Sequence, residues 1–135
     1  MSEANVEIVR KGWQAFERGD FDAFFALCDP GVVWDQAHYV SGEFDAAYQG
    51  RDGIARFLEE WQEFFEGYYA RTEEFIDAGA AVLSRVRQGG RGKHSGARVQ
   101  SARFWVICRV RDALLVRIEF YRDEREALEA VGLAE

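Results

Sequence analysis

Apolar residues recur at spacings of three and four near the start of the chain: Val6, Val9, Trp13 and Phe16. That period predicts an amphipathic helix over residues 5–18. Gly19 stops it, because glycine accepts the left-handed conformation of a helix end. Asp20 is placed to cap a second helix carrying Phe21, Phe24, Phe25, Leu27 and Cys28, which Pro30-Gly31 ends. Val32-Val33-Trp34 reads as a short strand closed by Asp35. Residues 36–50 lack a period and contain Ser41-Gly42 and Gly50, so a loop is predicted there. A loop of about fifteen residues in a compact domain is usually functional. The next stripe is the widest in the chain. Ile54, Phe57, Leu58, Trp61, Phe64 and Phe65 fall at i, i+3, i+4, i+7, i+10 and i+11, giving a helix over residues 51–66.

The period then changes to two. Residues 68–77, 80–88, 97–110 and 114–121 read as four strands. Gly79 marks the first turn, residues 88–96 a flexible glycine-rich hairpin loop, and Arg111-Asp112-Ala113 the last turn. Asp123 and Glu126, in a pattern close to a capping box, open a short helix ending at Gly132. Helices followed by a run of consecutive antiparallel strands define an α+β class. The expected architecture is a curved antiparallel sheet wrapped around the N-terminal helices, cone-shaped with a central pocket. No repeat or linker divides residues 1–135, so one domain is expected.

Composition narrows the function. The 135 residues are 48% hydrophobic and 30% charged, which suits a globular domain with an ample core. A net charge of −7 disfavours a nucleic acid or an anionic membrane as partner. No apolar run approaches the roughly 18 residues that span a bilayer. The opening residues are acidic and lack the pattern of a signal peptide, so a cytoplasmic location is expected. Cys28 and Cys108 stand far apart in apolar surroundings, and with His38 and His94 as the only histidines a zinc site is poorly supplied. No metal or cofactor is expected. Gly92-Lys93 is followed by His94 rather than Ser or Thr and leads into a strand, which excludes a phosphate loop.

The order of elements and four local patterns resemble the SnoaL-like branch of the nuclear-transport-factor-2-like superfamily. The patterns are Phe16-Glu17-Arg18-Gly19-Asp20-Phe21-Asp22, Val33-Trp34-Asp35, Tyr48-Gln49-Gly50-Arg51-Asp52-Gly53-Ile54, and the run from Val116 to Asp123 with Glu126 to Leu133 after it. The resemblance implies the cone-shaped fold of ketosteroid isomerases and polyketide cyclases. It implies no single activity, because this fold hosts many.

Candidate chemistry centres on two acids. Asp35 follows an apolar strand beside Trp34, where partial desolvation raises a carboxylate's proton affinity. By resemblance it stands where ketosteroid isomerases place their general base. The resemblance also puts Gly12 and Val106 where that family holds its oxyanion-stabilising Tyr and Asp, so that mechanism is not expected here. Glu119 stands where the limonene-epoxide-hydrolase branch places a catalytic aspartate; Arg85 is kept from that branch's Arg-x-Asp, but Arg87 replaces the acid. His38 follows Asp35 by three residues and is a candidate acid–base partner. Trp34, Trp61, Trp105, Tyr39, Phe57 and Phe64 are candidate pocket-wall rings. Arg85 and Arg103 are the arginines, among 15 against two lysines, chosen to point into the cone and bind an oxyanion. Tyr121 completes the expected lining set of Trp34, Asp35, Trp61, Trp105, Glu119 and Tyr121.

Two functions are therefore expected as alternatives. One is a cofactor-independent isomerase, cyclase or hydrolase doing acid–base chemistry on an apolar, carbonyl-bearing substrate through Asp35 or Glu119. The other is a non-catalytic module for ligand binding or dimerisation. A homodimer is expected in either case. On the third strand of the sheet Phe104, Val106, Cys108 and Val110 alternate with Arg103, Trp105, Ile107 and Arg109. If one row meets the cavity, the other must meet a partner.

Overall fold

The computed structural model describes residues 2–39, 46–92 and 98–133. In chain order they form α1 (Glu3–Glu17), α2 (Phe21–Ala26), β1 (Cys28–His38), β2 (Ala47–Gln49), α3 (Gly50–Phe64), β3 (Phe65–Ala78), β4 (Ala81–Gly92), β5 (Arg98–Arg111), β6 (Leu114–Tyr121) and α4 (Glu124–Ala130). The strands make one open, curved sheet in the order β2-β1-β6-β5-β4-β3. Strands β3 to β6 pair antiparallel in sequence, as their alternation predicts. Strand β1 lies parallel to β6, so the sheet is mixed.

Helices α2 and α4 start at the expected caps Asp20 and Asp123, and α1 starts two residues earlier than expected, capped by Ser2. Ser2 accepts from the Asn5 amide at 3.2 Å, Asp20 from Ala23 at 3.1 Å and Asp123 from Glu126 at 3.0 Å. Helix α1 is also tied to the β3–β4 turn, where the Asn5 side chain donates to the Gly79 carbonyl at 2.9 Å. Its inward stripe of Val9 and Trp13 packs with Phe24, Val32, Trp34, Ile54 and Phe57 on one face of the sheet. Helix α4 covers part of the other face, where Ala127 packs with Leu83, Ile107 and Tyr121. The sheet therefore has two buried faces. The helix-lined face is the larger and holds the cavity.

Three departures from the sequence reading shape the site. The strand expected at Val32–Trp34 is much longer. Chain 28–38 is extended, and β2, drawn from the stretch expected to be loop, pairs with Val33, Trp34 and Asp35. Asp35 is thus inside a strand flanked on both sides. The glycine-rich run begins as strand, since β4 extends to Gly92; residues 93–97, with His94, lie outside the described residues. A Cβ on Gly90 would meet the Tyr68 backbone at 2.9 Å, so this glycine lets β3 lie close against β4. Finally, the register between β5 and β6 shifts between Arg109 and Val110, which pair with Arg117 and Leu115. The extra residue breaks the alternation. Strict alternation would put Leu115 on the side of Arg117 and Glu119; with the bulge it packs with Ile118 and Phe120 against the helices.

Cys28 and Cys108 lie in this core, 1% and 0% exposed. Burial pushes both thiols up to about 12 from an ordinary 9.0. An unfolded chain ionises its thiols first, so their contribution to stability is complete below about pH 9 and is lost as the pH rises toward 12. We expect neither thiol to react with Ellman's reagent at about pH 8 before denaturation, and both to react after it. The melting temperature should fall as the pH climbs through that window. Rapid labelling of the native protein would contradict the placement.

Candidate functional site

Alternation along the strands decides what the cavity contains. Trp34 and Gln36 of β1, Val86 of β4, Phe104 and Val106 of β5 and Phe120 of β6 point to the helices and line a cavity of about 790 Å³. Trp13 and Phe16 of α1 and Phe57, Leu58 and Trp61 of α3 close it from the other side. Trp34 lies at the centre of the rings. Its centroid is 4.6 Å from Phe120, 5.3 Å from Phe57 and 5.8 Å from Phe16. Tilted and stacked ring contacts of this kind hold the aromatic wall together.

The polar groups inside are neutral. Trp34 donates its indole N–H to Gln36 at 3.3 Å. Tyr68 donates to the Gln88 side-chain oxygen at 2.7 Å, and the Gln88 amide donates to the Tyr39 hydroxyl. Burial raises the pKa of both phenols, so each keeps its proton at neutral pH. Among the described lining residues, the charged ones are Glu17 and Arg71, both exposed. The Glu17 carboxylate accepts from the Thr72 amide at 2.7 Å.

Trp34, Trp61, Tyr39 and Phe57 are where the sequence reading put them. The Phe64 side chain lies outside what is described. The remaining candidates lie away from the cavity, on the opposite face of the sheet. Asp35 and Glu119 are register partners on parallel strands. Two adjacent carboxylates need compensating cations, and arginine supplies them. Arg117 donates to Asp35 and, at 3.1 Å, to Glu119; Arg109 reaches Glu119 at 2.8 Å. Tyr121 donates to Glu119 at 3.1 Å, and its ring is stacked by His38 at 4.9 Å. His38 therefore meets Tyr121 rather than Asp35. Arg85 and Arg103 do not enter the cone. Both face Glu73 of β3, Arg103 at 2.8 Å, and Arg103 holds the Glu73 carboxyl below its usual range. Trp105 packs at the edge of the α4 cluster. The lining expected for Asp35, Trp105, Glu119, Tyr121, Arg85, Arg103 and His38 is thus corrected: the first six take the strand parity opposite to Trp34, Val86, Phe104 or Phe120, and the register shift between Asp35 and His38 turns His38 to their side.

Sequence reading missed Gln36, Gln88 and Tyr68. The signal for the first two is parity: Gln36 is two residues beyond Trp34, and Gln88 two beyond Val86. Tyr68 carries no such signal, because its position depends on the close approach at Gly90. No group of three His, Cys, Asp or Glu able to hold a metal occurs among the described residues. Nor is any helix long and apolar enough to cross a membrane.

The SnoaL-like domain model matches residues 9–118, so this chain belongs to the SnoaL-like domain family. Solved structures share the fold over almost the whole length. A nuclear-transport-factor-2-like protein of unknown function from Burkholderia pseudomallei is 20% identical, with a TM-score of 0.75 over 98% of this chain and 99% of that one. TerC, crystallised with polyporic acid, is 20% identical with a TM-score of 0.74 over 96% and 98%. A protein of ketosteroid-isomerase-like fold from Catenulispora acidiphila, in complex with trimethylamine, is 17% identical with a TM-score of 0.70 over 94% and 93%. No curated protein matches the sequence. The family includes polyketide cyclases and isomerases, and these likenesses establish the fold without choosing among its activities.

The location of Glu119 has a direct consequence. Its side chain is 9% exposed and satisfied by two guanidinium groups that are 38% and 41% exposed. Glu119→Gln removes the charge both arginines answer. We expect a loss of about 1–3 kcal/mol in denaturant unfolding, discounted for the half-exposed partners. Ligand affinity in the cavity should change less than about twofold. A large affinity change with unaltered stability would place Glu119 in the binding site after all.

Proposed function

We propose that this protein is a small-molecule-binding SnoaL-like domain whose ligand is an apolar, ring-bearing molecule held in the conical cavity. The observation that carries this reading is the roughly 790 Å³ space walled by Trp13, Trp34, Phe57, Phe104 and Phe120, with neutral polar groups at a few points. Concave, largely aromatic cavities with sparse polar groups suit such ligands. No cofactor is part of the proposal. The acid–base reading, with Asp35 or Glu119 as base, has less support. Both acids are engaged by guanidinium groups on the far side of the sheet, away from the cavity. The binding reading is therefore preferred to the isomerase, cyclase or hydrolase.

Leu58 lines the cavity and is partly buried, so its replacement can fill space without rebuilding the core. Quenching of the cavity tryptophans by fluorene should be saturable in the wild type. Leu58→Trp should weaken it by roughly tenfold or more through lost volume. Unsaturable quenching, or equal affinity in the two proteins, would sink the proposal.

We also propose a homodimer, on altered grounds. The apolar row Phe104, Val106, Cys108 and Val110 faces the cavity and core, and Ile107 of the other row packs with the α4 cluster. Among the described residues the exposed large hydrophobics are Tyr69 and Leu133. The convex face instead offers half-exposed guanidinium groups from Arg85, Arg103, Arg109 and Arg117 and the partly buried Trp105. Charge-rich association is weakened by salt. Light scattering at micromolar concentration should give a dimer whose dissociation increases with added salt; a monomer at low salt would refute it.

A further inference from the structure

The Tyr39–Gln88–Tyr68 chain leaves one phenolic proton without an acceptor among the described residues. Each phenol carries one proton and can also accept; the amide offers one oxygen and one NH2 group. Tyr68 gives its proton to Gln88 at 2.7 Å, and Gln88 donates to the Tyr39 oxygen. The Tyr39 proton goes to none of the described residues. Turning the Gln88 amide over exchanges the roles but not the sum. Tyr39 would then donate to Gln88, Gln88 to Tyr68, and the Tyr68 proton would be left. Tyr39 and Tyr68 both line the cavity, whereas Gln88 is 7% exposed. Both tyrosines are partly buried, and a donor turned into an apolar cavity without an acceptor is costly, so a ligand can supply the acceptor.

We infer that the Tyr39–Gln88–Tyr68 chain reserves one phenolic proton for an oxygen of the ligand, so the cavity takes ring compounds that carry a carbonyl. This rests on the cavity being the ligand site. The class follows from charge. Among the described lining residues the one cation, Arg71, is exposed, so a carboxylate held deeper would be a buried anion without a partner, which is disfavoured. A neutral ketone or quinone needs a donor alone. The donors are fixed in place. The Tyr39 amide donates to the Gln36 carbonyl at 2.9 Å, and Arg122 both donates to the Tyr39 carbonyl and stands 5.2 Å above its ring. A cation at the ring face draws electron density from the phenol and makes it a stronger donor. The preceding links of the chain act in the same direction, because serial hydrogen bonds polarise one another. Tyr68 is held by the close approach at Gly90 and by the edge-on Trp61 ring at 5.3 Å. The position taken by Tyr39 follows β1, and Tyr68 is on β3, so this donor pair arises from elements other than α1 and β5, where Gly12 and Val106 carry no such group.

The probes are 9-fluorenone and fluorene, which differ by the carbonyl oxygen. In the wild-type protein both should bind, and the bound fluorenone carbonyl stretch should lie below its frequency in dry hydrocarbon. Tyr39→Phe should weaken fluorenone roughly tenfold and fluorene less than about twofold, and should move the carbonyl band back up. If Tyr68→Phe does this and Tyr39→Phe does not, the amide is turned over and the chain still reserves its proton. An unshifted carbonyl in the wild type overturns the inference, as does a shift that neither variant alters. That wild-type spectrum decides even if a variant fails to fold. Saturable fluorene binding with an unshifted ketone would spare the cavity reading and reject this one. Binding of neither probe would reject both.

Discussion

The register of β1 on β6 sets nearly everything else. Pairing Trp34 with Ile118 and Asp35 with Glu119 sends the aromatic set to the helices and the charged set to the opposite side. A slip of one residue would turn β1 over, because side chains alternate with a period of two. Asp35 would then enter an aromatic cavity without Arg117, and Trp34 would leave it. The desolvation cost of such an unpaired carboxylate exceeds what most single contacts contribute. The ion network therefore acts as a register lock as well as a source of stability.

Much of the fold was legible because it rests on local periodicity. The α1 and α3 stripes, the four antiparallel strands and the Asp123 cap follow from residue spacing alone. The extent of β1 was not legible. Residues 28–31 include Pro30-Gly31, which normally interrupts a strand, and their extended path depends on β6, which is distant in sequence. The cavity rings were partly legible, since Trp34 and Trp61 belong to clear apolar patterns. The acids were misplaced for one reason. A short strand closed by Asp35 makes the aspartate a rim residue, whereas a strand continuing to His38 makes it a convex-face residue. The β5–β6 bulge was not legible either, because Leu115 changes face without any change in residue type.

The two sides of the sheet use different physics for the same end. On the cavity side, the inner polar groups are uncharged, and amides, phenols and an indole partner one another. On the convex side, carboxylates and guanidinium groups satisfy one another near water, with Glu73 meeting three arginines and Glu119 two. The abundance of arginine over lysine fits this arrangement, since a planar guanidinium can serve two acids at once, as Arg117 does.

The parallel partnership of β1 with β6 also bears on how the chain is made. Asp35 and Arg117 are 82 positions apart, so β1 waits for almost the whole polypeptide before its long edge is paired. During synthesis, Phe24, Val32 and Trp34 are translated early yet lack the last strand that buries them. Contacts of such long range slow folding and prolong the exposure of sticky intermediates. The nascent N-terminal half is thus the stretch on which a ribosome-associated chaperone would act, and truncation before β6 would leave an unpaired strand edge beside an open aromatic surface.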